Sequence, residues 1–328
     1  MATLLREDFI NGIKRDAYGY IMDYEKNMPV QLIHPEIFDV KPATGAFEKN
    51  TTVIGMGDLI KRHEAERINY DRAGEGWTVQ SDWDLYSKGI EFGPVTLDDL
   101  SETKIANMIM KMVESGTRNY FLGKEQLAAN VFNYGGYTAG HEIFNGSVPG
   151  ETDPSGDLCY DGKPFFNLSG NLRALTPNGT AAYYNGFALP LTADNIKTAY
   201  DRMVLTNAVD ARGKKVVLQP DILLVHPSLR WMADTLMNTE YQVGTANNDN
   251  NQVRGLLKVV PWRFLDTSTF WAIGSSKQGI RFWERWGLTF DFARDFETKS
   301  YKATLEARYG IEVNDFRYWV GSNAPTSA

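Results

Sequence analysis

The histidine in the segment QPDILLVHP is the first candidate for chemistry in this chain. His226 follows an apolar run at 221–225 and precedes a predicted helix. Strand ends of this kind carry catalytic groups in many α/β enzymes. However, Pro227 disfavours helical geometry at His226 and fixes the exit of the chain from the strand. We therefore expect His226 to be structural rather than catalytic.

No metal site, nucleophile motif or phosphate-binding loop is predicted. His63 begins HEAER and His141 begins HEIFN, and both segments lack the second histidine of a HExxH zinc helix. Cys159 is the one cysteine, so neither an intramolecular disulfide nor a CxxC zinc site can form. GMGDLI at 55–60 lacks the last glycine of a dinucleotide fingerprint, and neither GxSxG nor Walker A occurs. We expect no catalytic residue, cofactor or metal.

Two groups of acidic residues stand close together in the sequence: Asp153, Asp157 and Asp161, and Asp291, Asp295 and Glu297. The spacing of four in the first group does not fit the alternating ligands of a calcium loop, so we expect solvated turn residues. The second group suits ion pairs between subunits.

Four tryptophans lie close together near the C-terminal end: Trp262, Trp271, Trp283 and Trp286. An exposed row of rings, with a pair of acids, would favour a carbohydrate-binding or polysaccharide-acting protein. Side chains of this size are more often buried in a core or an interface. We expect burial here and keep the carbohydrate function as an alternative.

The composition is that of a globular protein. Hydrophobic residues make up 43% and charged residues 23% of 328 residues, enough for one large or two medium domains. The net charge of −7 argues against a nucleic-acid reader, which presents a basic patch. No apolar run approaches the roughly 20 residues of a membrane span, and early charges interrupt any signal-peptide core. These features predict a soluble protein, made in the cytoplasm, without a membrane partner.

The N-terminal elements do not form an obvious core of their own. A short amphipathic helix is predicted within 2–15, and the proline-containing stretch 29–42 resembles an extended arm that lies on a neighbour. Residues 53–94 predict a long charged hairpin, which is marginally stable alone. The apolar stripe within 97–132 predicts the longest helix, with Gly116 as a point where it could break or end.

The second half alternates helical and strand patterns. Residues 133–190 are rich in Gly, Asn and Pro and predict a surface excursion with short strands. In the predicted helix 228–238, Leu229, Met232 and Leu236 are expected on one side. The elements that follow the excursion are a helix capped by Thr192, a strand at 221–225, a helix at 228–238, strands within 256–262 and 268–275, and strand-like segments at both ends of 287–322.

In their order, these elements resemble a tailed-phage major capsid protein of the Hong Kong 97 fold. The most specific stretch is 191–322, where LTADNIKTAYDRM, GKKVVLQPDILLVHPSL, RGLLKVVPWRFLDTSTFWAIG and YKATLEARYGIEVNDFRYWVGS look like the family's pattern. PFFNLSGNL is similar to a segment of the Mu-like major head subunit branch. The N-terminal third matches by the order of its elements only.

The resemblance implies an α+β, Hong Kong 97-like capsid fold with an N-terminal arm, an extended β-hairpin loop, a peripheral domain with a long spine helix, and an α/β axial domain. The implied boundaries are 1–53 for the arm, 54–94 for the extended loop, 95–191 for the peripheral domain, 192–289 for the axial domain and 290–328 for a return to the peripheral domain.

The implied function is that of a structural major capsid protein, not an enzyme. It would self-assemble as hexamers and pentamers into the icosahedral head shell around the double-stranded DNA of a tailed bacteriophage. The implied partners are other copies, scaffolding, portal and decoration proteins, and DNA bound without sequence specificity. The protein would be assembled in the host bacterial cytoplasm and reside in the virion. An encapsulin-like nanocompartment shell is the alternative within the same fold.

Contacts between subunits are expected at two projecting segments. One is the charged hairpin, whose implied role is to reach over an adjacent subunit. The other is the polar loop 244–254, the candidate tip of the axial domain. The residues expected to contact neighbouring subunits are Arg62, Glu66, Asp71, Arg72, Glu75, Asn248, Asp249 and Arg254.

Overall fold

The chain combines helices with β-sheets in a computed structural model that describes residues 7–28, 31–71, 74–93, 95, 99–136, 159, 161–241 and 249–325. Its α-helices are α1 (Glu7–Lys26), α2 (His34–Ile37), α3 (Glu102–Asn133), α4 (Ala193–Asp201) and α5 (Arg230–Asn238). Its strands are β1 (Asp39–Pro42), β2 (Phe47–Ile54), β3 (Gly74–Asp82), β4 (Asp84–Phe92), β5 (Gly186–Phe187), β6 (Ile222–Val225), β7 (Lys258–Pro261), β8 (Trp271–Gly274), β9 (Ile280–Arg294), β10 (Tyr301–Val313) and β11 (Trp319–Ser322).

The strands form three sheets within the described residues. The first has the order β1-β9-β10-β4, in which β1 runs parallel to β9 and the other pairs are antiparallel. The second has the order β5-β11-β8-β6-β7. The third is a two-stranded antiparallel ribbon of β2 and β3. This mixture of helices and largely antiparallel sheets confirms the predicted α+β class.

Helix α3 is the central element, and it is continuous through Gly116. Its apolar stripe buries Ile105, Ile109 and Val113, at the spacing that places side chains on one helical face. A Cβ at position 116 would lie 2.1 Å from Cδ1 of Leu305 on β10. The glycine therefore lets the helix backbone approach the sheet, and the break expected there does not occur.

The two halves of α3 lie in two different apolar clusters. Its N-terminal half packs with α1 and the far ends of β9 and β10, where Ile13 and Phe290 are buried. Its C-terminal half packs on the five-stranded sheet, where Phe132 contacts the rings of Trp262 and Trp319. A third cluster covers the opposite face of that sheet with α4 and α5. Each face of the five-stranded sheet thus has a covering layer.

A buried carboxylate joins three distant parts of the chain. Oε1 of Glu125 on α3 accepts hydrogen bonds from the backbone N–H of Ile33 at 2.8 Å and of His34 at 2.9 Å, and lies 2.7 Å from Nδ1 of His34. Its Oε2 accepts from Nε1 of Trp262 at 2.7 Å. Burial raises the pKa of Glu125, but hydrogen bonds from the side chain and backbone of His34 outweigh it and hold the pKa below the ordinary 4.5.

The N-terminal segment is not the free arm that its prolines predicted. Helix α1 spans 20 residues, longer than the helix predicted within 2–15. It buries Ile13, Ala17 and Ile21 against the same chain. The stretch after it forms α2 and β1, and β1 pairs with β9. Its proline at position 42 is accommodated because β1 is an edge strand.

The predicted hairpin at 53–94 is displaced along the chain. Its first predicted strand, within 58–71, is a loop. The partner of β3 is β2, which precedes that loop and aligns Phe47 with Asp82. Strand β4 instead pairs with β10 along its whole length. The error arose because apolar residues in a long loop resemble a half-buried strand.

Part of the segment 133–190, which was predicted to lie at the surface, belongs to the core. Phe165 and Phe166 are buried in the central cluster. Asp161, expected to be solvated, is buried and receives two hydrogen bonds from Arg173, each 2.8 Å long. The pairing of two buried charges explains how this polar segment enters the interior. Asp153 and Asp157 lie outside the described residues.

Three further expectations need correction. Met232, grouped with Leu229 and Leu236, is exposed on α5, whereas those two leucines pack against the third cluster. Asp291 pairs with Lys14 of the same chain at 2.6 Å. Asp295 pairs with Lys302 across the turn between β9 and β10. These ion pairs are intramolecular, whereas pairs between subunits were expected.

The Glu125 junction predicts a specific loss of stability. Glu125→Ala leaves buried donors without an acceptor, so we expect the free energy of unfolding to fall by about 3 kcal/mol. Glu114→Ala on the exposed side of the same helix should change it by less than about 0.5 kcal/mol. Urea unfolding followed by circular dichroism measures both.

The stability difference between the wild type and Glu125→Ala is expected to depend on pH. Because the pKa of Glu125 is lower in the folded chain than in the unfolded chain, its stabilisation is present above pH 4.5 and is lost as the pH falls below that value. The difference between the wild type and Glu125→Ala should therefore narrow on acidification. A difference that widens would contradict this assignment.

Gly274, at the end of β8, gives a second prediction about stability. A Cβ at Gly274 would lie 2.3 to 2.5 Å from ring atoms of Trp319, which is fully buried and donates a hydrogen bond to the Gln278 carbonyl at 3.0 Å. We expect Gly274→Ala to lower the free energy of unfolding by about 1–3 kcal/mol. In β9, a Cβ at Gly287 meets no atom within 4 Å, so Gly287→Ala is the matched control. Equal effects of the two substitutions would contradict the explanation.

Candidate subunit interface

The ribbon of β2 and β3 positions a long loop at one end. The loop comprises residues 55–71 and is called the 55–71 loop below. The ladder runs from Phe47 opposite Asp82 to Ile54 opposite Gly74, where the loop begins. In the half of the ribbon away from the loop, the Asn50 amide donates to the buried Glu312 carboxylate at 3.1 Å. This half is therefore fixed to the four-stranded sheet, and the loop lies at the other end.

The 55–71 loop exposes several large apolar side chains. Leu59 is 98% exposed and Met56 is 82% exposed. Ile60, Ile68 and Tyr70 are also exposed. Single exposed apolar residues are ordinary on protein surfaces, but a concentration in one short segment is typical of an interaction site. This loop is the strongest candidate for a contact with another molecule.

Charged residues surround these apolar groups. Nη1 of Arg62 donates to the carbonyl oxygen of Glu66 at 2.9 Å, and the Glu66 carboxylate accepts from the backbone N–H of His63 at 2.9 Å. Glu75 lies in β3, opposite Val53. The structure thus places these predicted contact residues on or beside the loop. Arg72 lies outside the described residues.

The loop is held against its own chain by two ion pairs. Asp58 lies 2.7 Å from Nζ of Lys214, and Asp71 lies 3.3 Å from Nη1 of Arg212. A hydrogen bond from the backbone N–H of Gly57 lowers the pKa of Asp71, and the Arg212 guanidinium lowers it further. The Asp71 carboxylate is therefore charged at neutral pH.

The second group of predicted residues lies on a different element. Asp249 and Arg254 are exposed in the segment that follows α5. The side chain of Asn251 holds this segment by donating to the carbonyl oxygens of Leu236 at 2.7 Å and Thr239 at 3.0 Å. Asn248 lies outside the described residues. A contact of this segment with a neighbouring subunit stays a prediction.

The contact residues predicted from the sequence include neither the apolar residues of the loop nor its basic partners, Arg212 and Lys214. Met56 and Leu59 carried a signal, because they are large apolar residues in or beside a highly charged segment. Arg212 and Lys214 stand in DARGK, whose Asp and Gly are typical of a tight turn. Their proximity to the loop depends on tertiary structure and has no local signal.

Two further exposed aromatic side chains lie on other elements. Trp231 on α5 is 76% exposed, next to the exposed Met232. Phe296, in the turn between β9 and β10, is 85% exposed. That turn is ordered by Asp295, whose carboxylate accepts from the backbone N–H groups of Glu297 and Thr298 at 2.8 and 3.2 Å. These side chains are secondary candidates for contacts.

Of the residues first considered for chemistry, His226 has a structural role, and His141 lies outside the described residues. The ring of His226 accepts a hydrogen bond from the backbone N–H of Ser228 at 3.1 Å, which caps the following turn as expected of a structural histidine. Cys159 is buried. Within the described ranges, no group of three or more His, Cys, Asp or Glu side chains is arranged to hold a metal ion. Likewise, none of the described helices has the length and apolar character needed to cross a membrane.

The tryptophans do not form an exposed row. Trp262, Trp271 and Trp283 are buried, as expected, and Trp286 is exposed. Nε1 of Trp271 donates to the carbonyl oxygen of Leu189 at 2.9 Å, deep in the five-stranded sheet. Stacking on a sugar requires accessible ring faces, so the buried rings remove the basis of the carbohydrate alternative.

In comparisons with known proteins, a family model matches just under half of the chain, and solved structures match its fold. Residues 161–322 match the family model described as phage capsid protein. The capsid structure of the cyanophage P-SCSP1u aligns with a TM-score of 0.51 at 12% identity, covering 90% of this chain and 89% of that chain. A chain of Mycobacterium phage Patience aligns with a TM-score of 0.52 at 9% identity, covering 100% and 91%. No curated protein matches the chain.

Proposed function

We infer that this chain, whose residues 161–322 belong to the phage capsid protein family, is a structural major capsid protein that self-assembles into the head shell of a tailed bacteriophage. The observation that carries this conclusion is the fold, which agrees with the capsid structure of the cyanophage P-SCSP1u over 90% of the sequence and with a chain of Mycobacterium phage Patience over 100%. The family match in the C-terminal half supports it independently.

The surface of the chain also suits an assembling subunit. The 55–71 loop concentrates apolar side chains that the chain itself leaves exposed. In a closed shell, every copy donates and receives the same contacts, so weak individual contacts sum to a stable structure. The fold and family indicate a structural protein, and the architecture requires no catalytic residue, cofactor or metal.

Several finer points belong to this proposal. The copies would form hexamers and pentamers, with scaffolding, portal and decoration proteins as further partners. Packaged double-stranded DNA would be enclosed without sequence-specific binding, in keeping with a net charge of −7. Assembly would take place in the cytoplasm of the host bacterium. Membership of the Mu-like branch stays a prediction, as do the boundaries at 53, 94, 191 and 289.

Electron microscopy of the purified chain, with light scattering on the same sample, tests the conclusion. We expect closed shells, or rings of five and six subunits. A chain that stays monomeric at high concentration, with a crowding agent and when co-expressed with the proteins of its own gene cluster, would overturn it. A shell that retains a specific enzyme and no nucleic acid would favour the encapsulin-like alternative.

The apolar residues of the 55–71 loop give a sharper test. Leu59→Asp with Ile60→Asp removes two groups that are exposed in the free chain, so the fold and its melting temperature should be retained. If neighbours bury these groups, each is worth about 2 kcal/mol in the shell. The subunit concentration needed for assembly should therefore rise by about a hundredfold or more, as measured by light scattering.

The matched control is Leu59→Met with Ile60→Met, which keeps the apolar area and should assemble like the wild type. Unchanged assembly of the aspartate variant would show that the loop is not an interface.

A further inference from the structure

Four Asn–Gly pairs occur in the sequence, and the structure gives three of them very different surroundings. These three begin at Asn11, Asn178 and Asn185, while the pair at Asn145 lies outside the described residues. An asparagine before glycine can react with its own backbone, because glycine has no side chain to shield the amide nitrogen or to restrict its rotation. The surroundings of each pair therefore decide whether it reacts in the folded chain.

The reaction closes a succinimide ring within the chain. The backbone nitrogen of the glycine attacks Cγ of the asparagine side chain, the bond from Cγ to Nδ2 breaks, and ammonia leaves with the proton that the glycine nitrogen gives up. Water then opens the ring at either carbonyl and produces aspartate or isoaspartate. The glycine nitrogen must rotate towards Cγ, so a firmly held backbone at this position prevents the reaction.

Asn185 is fully buried, and both partners of the reaction are held in place there. Its amide nitrogen donates to the carbonyl oxygens of Phe165 at 2.8 Å and Trp319 at 3.0 Å, and its Oδ1 accepts from the backbone N–H of Asn167 at 3.1 Å. The backbone N–H of Gly186 donates to the Asn167 carbonyl at 2.9 Å. Rotation would break several buried hydrogen bonds at once, so the fold protects this pair.

Asn11 is protected in another way. Asn11 and Gly12 lie in the second turn of α1, where the backbone N–H groups take part in the regular hydrogen bonding of the helix. The next residue, Ile13, is buried and fixes this part of the helix to the body of the chain. Cyclisation at Asn11 would require the helix to unwind, so we expect it to be slow.

Asn178 stands in an exposed turn. Residues 177–180 are all exposed, and the backbone N–H of Gly179 donates to the carbonyl oxygen of Thr176 at 3.0 Å. Proline followed by asparagine at the two central positions is typical of a β-turn. The hydrogen bond that must open before Gly179 can attack therefore lies at the surface, where local opening is least costly.

The base of the same turn is held firmly. Arg173 and Tyr183 form an antiparallel bridge, in which the backbone N–H of Arg173 donates to the Tyr183 carbonyl at 2.9 Å. The Arg173 guanidinium is buried and pairs with Asp161 at 2.8 Å. The tip of the turn can therefore open, and its residue 178 can change, while the core stays intact.

We propose that Asn178 is a site of spontaneous modification in the folded protein, where its amide is converted through a succinimide into aspartate and isoaspartate. The change adds a negative charge to an exposed turn. The chemistry takes place within one chain and needs only water, so this inference does not depend on the proposed function.

Incubation of the purified chain at mildly alkaline pH, followed by digestion and mass spectrometry, tests the proposal. Chymotrypsin can cut at Tyr183 and Tyr184, which separates Asn178 from Asn185. We expect the peptide with Asn178 to gain the mass of an amide-to-acid conversion and to elute as separate aspartate and isoaspartate forms. The peptides with Asn11 and Asn185 should be converted at least roughly tenfold more slowly.

The same incubation in concentrated guanidinium chloride measures the reactivity of the pairs without the fold. All four pairs should then convert at rates within about threefold of one another, because the unfolded chain protects none of them. An Asn178 that reacts in denaturant but keeps its amide in the folded chain would overturn the proposal. Conversion of Asn185 as fast as Asn178 in the folded chain would overturn it as well.

A pair of variants checks that the backbone nitrogen of Gly179 is the attacking group. A Cβ at Gly179 would lie 2.8 Å from Oγ1 of Thr176, so Gly179→Ala is combined with Thr176→Ala to remove this clash. The combined variant should slow conversion at Asn178 by roughly tenfold, since the added methyl group hinders the attack. Thr176→Ala alone is the matched control and should convert like the wild type. Equal conversion in both variants would contradict the succinimide route.

Discussion

The carboxylate of Glu125 accepts hydrogen bonds from two backbone N–H groups, an imidazole and an indole, in a site from which water is excluded. A buried charge is costly unless its lone pairs are satisfied. The site therefore holds only when the segment around His34, helix α3 and the connection after β7 are all in place. Because Trp262 leads from β7 towards β8, this one acceptor joins the N-terminal segment to the five-stranded sheet.

The rest of the architecture follows from the position of α3. Gly116 lets the helix lie on β10, and Phe132 at its other end inserts between Trp262 and Trp319. Both sheets thus pack on one rigid helix, and the interior consists of close-packed aromatic and aliphatic side chains. The ribbon of β2 and β3 is different, since it is fixed to the sheet through Asn50 and its loop is held by exposed charges. The chain thus combines a rigid body with a projection that is held more weakly.

Local sequence patterns correctly predicted a helix cap and a buried strand. The cap at Thr192 accepts from the backbone N–H of Asn195 at 3.3 Å, as its position before an amphipathic helix indicated. The apolar strand at 221–225 is the fully buried β6. In contrast, the pairing of β2 with β3 spans the whole 55–71 loop. A pairing of this kind depends on what each strand meets in the folded chain, which no window of sequence contains.

The same reasoning explains what was missed in the candidate interface. The stretch GDLIKRHEAERINYD contains both the charges that were selected and the apolar residues that were not. Charged residues can form ion pairs between subunits, so they were the residues selected from the sequence. The structure favours the apolar residues instead, since Leu59 is almost fully accessible. An exposed apolar group has more to gain from burial than an exposed charge has from pairing.

This division between apolar and charged groups has a consequence for assembly. A subunit whose contacts were all apolar would associate in many registers, whereas one with ionic contacts alone would be weak and sensitive to salt. A loop that mixes the two would limit the registers and keep each contact weak enough to dissociate. Closure of a symmetric shell would then supply the stability that no single contact provides.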